Sequence, residues 1–262
     1  MNTTNQIADL ENRGFRRDQA EIILLMKQAA VTLFQDFPAA FVLFGGASLV
    51  LLYDSVRQSN DLDLLSTIST LPSGEAIAES LRTGLQAIGE SLNIGPLSLV
   101  VNKNAPSEVK VIVNNRSGLS LFRVDLNRMG SVIQAEIEEH EIELAEEIAG
   151  KVKSVSRDFL LLQKAEAFLQ RRQIKARDAW DIHWLLSAGA SLNEILRGHL
   201  SDSLRGEFGR DEIRHRIQQL TFTRCRGELR PVLPPQVYEP LELAEFKPMI
   251  KSVESLYAEW LE

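Results

Sequence analysis

The sequence predicts an α+β fold, in which a mixed β-sheet flanked by helices is followed by a helical C-terminal region. Three observations carry this. Phe41-Val-Leu-Phe44 is a short apolar run, and Asp61-Leu-Asp-Leu-Leu65 alternates charged and apolar residues with period two; both patterns are those of strands. Three more segments between residues 97 and 126 are rich in β-branched or alternating residues. From Ser156 the periodicity turns helical and stays so to the end. The expected organisation is an α/β domain over 1–155 and a helical domain over 156–262 that completes a cleft, a common place for ligands.

Composition bounds the rest. The chain has 262 residues, 44% hydrophobic and 25% charged, an ordinary composition for a folded domain with an ample core. A net charge of −7 excludes a global field that draws nucleic acid, so any such contact needs a local basic patch. Cys225 is the single cysteine; it excludes an internal disulfide, fits a reducing compartment and is expected to be an inert surface or half-buried thiol. The polar stretch from Met1 to Arg17 lacks the apolar core of a signal peptide, and no apolar run reaches spanning length. The expectation is a cytoplasmic protein without a membrane partner.

Taken in order, Arg17 to Phe37 reads as a packing helix with a broad apolar face, ended by Pro38. Gly45-Gly46 breaks the first strand, Ser48 to Tyr53 forms an apolar helix, and Asp54 to Asn60 connects to the second strand. A turn-rich loop from Thr67 to Gly74 precedes an amphipathic helix over Glu75–Ile88. Leu97–Asn102, Val109–Val113 and Leu119–Leu126 are strands, the last two joined by a turn at Asn114–Gly118. The acidic run Gln134–Glu147 reads as a solvated face, with Gly150 as a hairpin turn between Glu141–Ile148 and Lys151–Ser154. Ser156 is expected to cap a helix running to Arg172, and Lys175–Leu186 forms a second helix that ends near Gly189. Helices over Ser191–Leu200 and Leu204–Leu220, a proline-rich connector over Arg224–Pro235 and a final helix over Lys247–Trp260 complete the chain.

The chemistry concentrates between residues 45 and 63. Residues two apart on a strand share a face, about 6.6 Å apart at about 3.3 Å per residue. Asp61 and Asp63 therefore stand side by side while Leu62 and Leu64 enter the core. Adjacent carboxylates repel, and such a pair keeps a proton or holds a cation. Magnesium suits them, since it takes one or two carboxylates plus water and substrate phosphates. A diglycine turn at a helix start admits a phosphate close to backbone N–H groups. In Leu121–Asn127, alternation puts Arg123, Asp125 and Asn127 on one face and Phe122, Val124 and Leu126 on the other. Asp125 thus offers a third carboxylate, as a two-metal site for in-line displacement requires. The plainer alternatives are a solvated edge strand and a surface-facing Asp125.

Gly45-Gly46 followed by Arg57-x-Ser59-x-Asp61-x-Asp63 resembles the first motif of the DNA polymerase β-like nucleotidyltransferase superfamily, in its AbiEii-type toxin variant. Lys164, followed by Arg177-Asp178-x-x-Asp181 on the next helix, is similar to a later motif of the same family. Leu62, where isoleucine is commoner, is a modest departure. The resemblance implies a nucleotidyltransferase-type mixed sheet and an enzyme that moves a nucleoside monophosphate from a nucleoside triphosphate to an acceptor. It further implies Mg²⁺, or Mn²⁺ in its place, on Asp61, Asp63 and Asp125. Gly45, Gly46, Ser48, Arg57, Ser59, Lys164 and Asp178 would contact the nucleotide, and Asp61, Asp63, Asp125, Lys164 and Asp181 would be catalytic. Lys164 would offset charge on departing pyrophosphate, with an ordinary helix–helix salt bridge as the alternative. The implied setting is a toxin of a toxin–antitoxin or phage-defence system with a cognate antitoxin, acting on RNA, with the tRNA 3′ end as acceptor. Alternative acceptors are an aminoglycoside-like small molecule or a protein hydroxyl, and a catalytically silent nucleotide-binding module is the third reading. Arg171, Arg172, Lys175 and Arg177 are the densest cations for an RNA backbone. His183 reads as a core-edge histidine with one hydrogen bond, and the four histidines show no zinc-ligand spacing.

Overall fold

The computed structural model describes residues 3–66, 68, 70–128, 136–144, 148–204 and 208–261, in two compact units, Met1–Val155 and Ser156–Glu262. The first unit runs α1 (Thr3–Asn12), α2 (Arg17–Asp36), β1 (Phe41–Phe44), α3 (Gly45–Leu52), β2 (Asp61–Ser66) and α4 (Gly74–Ser91). It continues through β3 (Ser98–Ala105), β4 (Glu108–Asn114), β5 (Ser120–Arg128), β6 (Ile137–Leu144) and β7 (Ile148–Val155).

Its seven strands make one mixed sheet in the order β3-β4-β5-β2-β1-β7-β6. β1 is antiparallel to β2 and parallel to β7, while β2 is parallel to β5. This is the mixed sheet flanked by helices that the alternating segments predict. Leu62, Leu64, Val111, Val124 and Leu126 are fully or almost fully buried in one core with Ile23, Leu24 and Leu33 of α2 and Ile77, Leu81 and Leu85 of α4. Each such side chain contributes about 1.5–3 kcal/mol by leaving water. Period two then dictates that the residues between them, Asp61, Asp63, Arg123 and Asp125, belong to the opposite face.

Several elements differ from expectation. The diglycine does not merely break β1: α3 starts at Gly45 itself. The polar N-terminus contains α1, which buries Ile7 and Leu10. Ser73, rather than the residues after Gly74, opens α4, accepting a hydrogen bond from the Ala76 amide at 3.2 Å. Gly150 is no turn. It lies inside β7 opposite Ile142, and a Cβ there would come within 2.5 Å of Val31, so glycine is required by the crossing of α2 over the strand. Part of the acidic run is the edge strand β6, which exposes Glu138, Glu139 and Glu141 and buries Ile142; residues 134, 135 and 145–147 of that run lie outside the described residues.

The second unit is helical: α5 (Arg157–Gln170), α6 (Ala176–Ser187), α7 (Glu194–Leu204), α8 (Arg210–Gln218), α9 (Phe222–Leu229), α10 (Pro235–Leu243), α11 (Lys247–Leu256) and α12 (Ala258–Leu261). Ser156 caps α5 as expected, accepting from the Phe159 amide at 3.1 Å. The expected connector over 224–235 is instead half helix. Thr221 caps α9 through the Arg224 amide at 3.3 Å, and Pro235 starts α10 at a position where a missing N–H costs nothing. The expected helices over 191–200 and 204–220 are displaced, because Asn193 caps α7 through the Leu196 amide and Gly209 precedes α8. The last helix breaks at Tyr257, whose buried ring stacks on Phe168 at 6.2 Å and whose hydroxyl donates to the Ala165 carbonyl at 2.7 Å.

Candidate active site

The parallel register of β2 and β5 places Asp63 opposite Asp125 and Asp61 opposite Arg123. Four charged side chains from two strands thus share the face opposite the core that α2 and α4 cover. Arg123 holds them together. Its Nη2 lies 3.1 Å from Asp61 Oδ1 and its Nε 2.7 Å from Asp125 Oδ1. The second approach is short without the alignment of a hydrogen bond, although both atoms are buried. Asp125 is only 6% exposed, whereas the Asp61 side chain is about a third exposed (35%). Burial opposes the Arg123 charge, but Asp125, Asp61 and Asp63 outweigh it and raise its pKa. From β4, Lys110 sits 3.8 Å from Asp125 Oδ2 and 2.8 Å from Glu108 Oε1. Lys103 and Lys110 hold the Glu108 carboxyl down at about 2.

The diglycine bend closes on this face. Antiparallel pairing sets Phe44 opposite Asp63, and Gly45 follows with φ +73°, a conformation that side chains resist. A Cβ on Gly45 would lie 2.5 Å from Asp63 Oδ2; one on Gly46 would lie 2.7 Å from Arg57 Nη2 and 2.9 Å from Ser59 Oγ. Gly45, Gly46, Arg57, Ser59, Asp61, Asp63 and Asp125 are therefore one assembly. Arg57 is buried and donates to the Gln58 carbonyl at 3.0 Å. Ser48 stands apart: fully buried, it donates to the Gly45 carbonyl at 2.8 Å, so its hydroxyl shapes the bend.

The later motif gathers in the second unit. Lys164 of α5 lies 2.8 Å from Asp181 Oδ2 and 3.9 Å from Asp178 Oδ1, both on α6, and Arg171 Nε lies 2.7 Å from Asp178 Oδ2. Lys164, Asp178 and Asp181 are buried. Of the basic cluster, Arg171 is thus committed to Asp178, Arg172 and Arg177 are exposed, and Lys175 is half-buried at the start of α6. Arg123 and Lys110 enter the site only through the structure, and Arg171, expected at an RNA backbone, pairs with Asp178; for Arg123 the alternation that puts it beside Asp125 is the signal in the sequence.

Asp61, Asp63 and Asp125 offer hard carboxylate oxygens in the number and setting that magnesium accepts. Among the described residues, no three acidic, histidine or cysteine side chains converge tightly enough to hold a metal as they stand. The residue types suit such an ion, and Arg123 lies in contact with two of the three acids.

The family profile described as "Nucleotidyl transferase AbiEii toxin, Type IV TA system" matches residues 29–259. The chain belongs to the AbiEii family. It is a nucleotidyltransferase of the toxin class. A search of curated proteins gives no match. Among solved structures, this AbiEii chain is similar in fold to MenT4, a nucleotidyltransferase toxin from Mycobacterium tuberculosis H37Rv, with TM-score 0.56, 15% identity and coverage of 99% of this chain and 91% of that one. It is also similar to JHP933 from Helicobacter pylori, with TM-score 0.52, 14% identity and coverage of 90% of each chain.

Other conspicuous side chains of the AbiEii chain are structural. His183 Nδ1 meets Ser252 Oγ at 2.8 Å, and burial lowers its pKa. Cys225 is fully buried, not at the surface, and burial pushes its thiol up to about 11. No helix among the described residues is long and apolar enough to cross a membrane.

Proposed function

We propose that this AbiEii toxin transfers a nucleoside monophosphate from a nucleoside triphosphate to the 3′ end of tRNA, in the cytoplasm, with Mg²⁺ (or Mn²⁺) held by Asp61, Asp63 and Asp125. The observation that carries this is the contact of the Gly45-Gly46 bend with Asp63 on the face that also bears Asp61 and Asp125. A terminal hydroxyl of the acceptor attacks the α-phosphorus, the bond to the β,γ-phosphates breaks, and pyrophosphate leaves. The backbone at Gly45 and Gly46 takes the phosphates, with the neighbouring Arg57 and Ser59 supporting that bend. Asp125, next to the developing nucleophile, accepts the hydroxyl proton. When bound, the metal neutralises charge on the reacting phosphate and lowers the acceptor hydroxyl's pKa.

In this reading Lys164 offsets charge on the leaving pyrophosphate, and Asp181 or Asp178 holds that lysine or touches the incoming nucleotide or acceptor. Exposed Arg172 and Arg177 support an RNA acceptor, because a backbone is read through its phosphate charge. A cognate antitoxin is the expected partner of a type IV system. The test incubates the purified chain with each labelled nucleoside triphosphate and total tRNA, protein or aminoglycoside in parallel. Label is expected on tRNA in the presence of Mg²⁺; its absence with every nucleotide removes the tRNA acceptor, and label on protein or drug redirects it.

A further inference from the structure

Arg123 occupies the space between two of the three acids. Its guanidinium reaches Asp61 on β2 and Asp125 on β5 at 3.1 and 2.7 Å, and the parallel register that pairs Arg123 with Asp61 fixes the backbone beneath it. Resting on the metal-dependent reading above, we infer that Arg123 is a built-in counter-ion at the cation position, and that a divalent metal binds only by displacing it. The side chain is a positioning residue that sets metal affinity by competition.

Two features argue for displacement rather than coexistence. Magnesium needs carboxylate oxygens at about 2.0–2.1 Å, and the Arg123 guanidinium already occupies one oxygen, Oδ1, of each of Asp61 and Asp125. The Nε–Asp125 approach is short and buried yet not aligned as a hydrogen bond, so the bridge forfeits the directional strength of a good arginine–carboxylate fork. Lys110 is the natural contrast. It is 3.8 Å from Asp125 Oδ2 and closer to Glu108, and it spans no pair of the acids, so it belongs to the rim.

The test titrates Mn²⁺ into the full chain and follows loss of the free-ion electron paramagnetic resonance signal. Arg123→Gln is expected to bind Mn²⁺ at least about tenfold tighter than the wild type, and Lys110→Gln to differ by less than about threefold, because only the first removes a competing charge in direct contact. Equal or weaker binding by Arg123→Gln, or an equal gain in Lys110→Gln, overturns the inference while leaving the metal-dependent reading in place; no Mn²⁺ binding by any chain removes both. A second readout needs no variant that must fold without its ion pair. In wild-type chain labelled with ¹⁵N-arginine, the Arg123 Nε–H resonance is expected to shift when Mg²⁺ is added, and an unmoved resonance at saturating metal overturns the inference.

Discussion

The acid face of β2 and β5 and the Lys164 cluster of α5 and α6 are both ion-pair networks, yet they differ in how far they open to water. In the cluster, Lys164 and Arg171 meet Asp178 and Asp181, two cations for two carboxylates, with both acids fully buried. On the sheet face, Arg123 bridges Asp61 and Asp125, and both Arg123 and Asp61 are about a third exposed. Charged side chains that stay open to water can be reached by a ligand, whereas carboxylates shut away beside their cations hold helices together without one.

The largest effect is expected on the open acid face. Asp63→Asn should lower nucleotidyl transfer at least about 10³-fold, about 4 kcal/mol of transition-state stabilisation, with little change in the urea midpoint; a large loss of stability with transfer retained would make the face structural. The cluster should behave in reverse. Lys164→Met removes the cation beside buried Asp181 and is expected to cost about 3–5 kcal/mol in urea unfolding. Adding Asp181→Leu should restore much of that stability. Transfer that returns with it makes the pair purely structural, and transfer that stays lost while stability returns gives the pair a part in the reaction. Gly45→Ala tests the join between bend and acid: the φ of +73° and the 2.5 Å approach to Asp63 should cost about 1–3 kcal/mol and reduce transfer, both read on the same preparation. The smallest effect concerns pH in the helical unit. Burial raises the Cys225 thiol from its ordinary 9.0 to about 11, so the stability tied to its protonated form is complete below pH 9 and drains away as pH rises through 11. The buried Tyr257 phenol, also raised, acts in the same direction, so the check is the difference: Cys225→Ala should lose less of its urea midpoint between pH 9 and 11 than the wild type.

Much of this contrast is legible in the chain. Period two in Asp61–Leu65 gives the strand, its buried leucines and its acid face together, because a half-buried strand can satisfy that pattern only one way. Ser156 announces α5 for an equally local reason, the cap it provides. What is not legible depends on contacts distant in sequence. Gly150 resembles a turn residue until Val31 of α2 is seen pressing on it. β6 resembles a solvated acidic stretch because an edge strand needs little apolar surface; Ile142 is its one fully buried side chain among those described. The prolines near residue 235 suggest a connector, though Pro235 begins a helix. The pairing of Asp63 with Asp125 spans 61 intervening positions, and no spacing rule could state it. Arg123 is a subtler case: alternation puts it on Asp125's face, but its bridge to Asp61 depends on the parallel pairing of β2 with β5.

That long span between β2 and β5 also bears on how the protein is made. Parallel pairing of distant strands is a slow, late step, and here the strand carrying Asp125 is synthesised well after the one carrying Asp61 and Asp63. β1 gains its second neighbour, β7, only at Ser154. A nascent chain still on the ribosome short of β5 therefore carries the diglycine bend and two acids on an uncovered edge, without the third. For a toxin, this order of assembly postpones the complete acid face until most of the first unit has been translated.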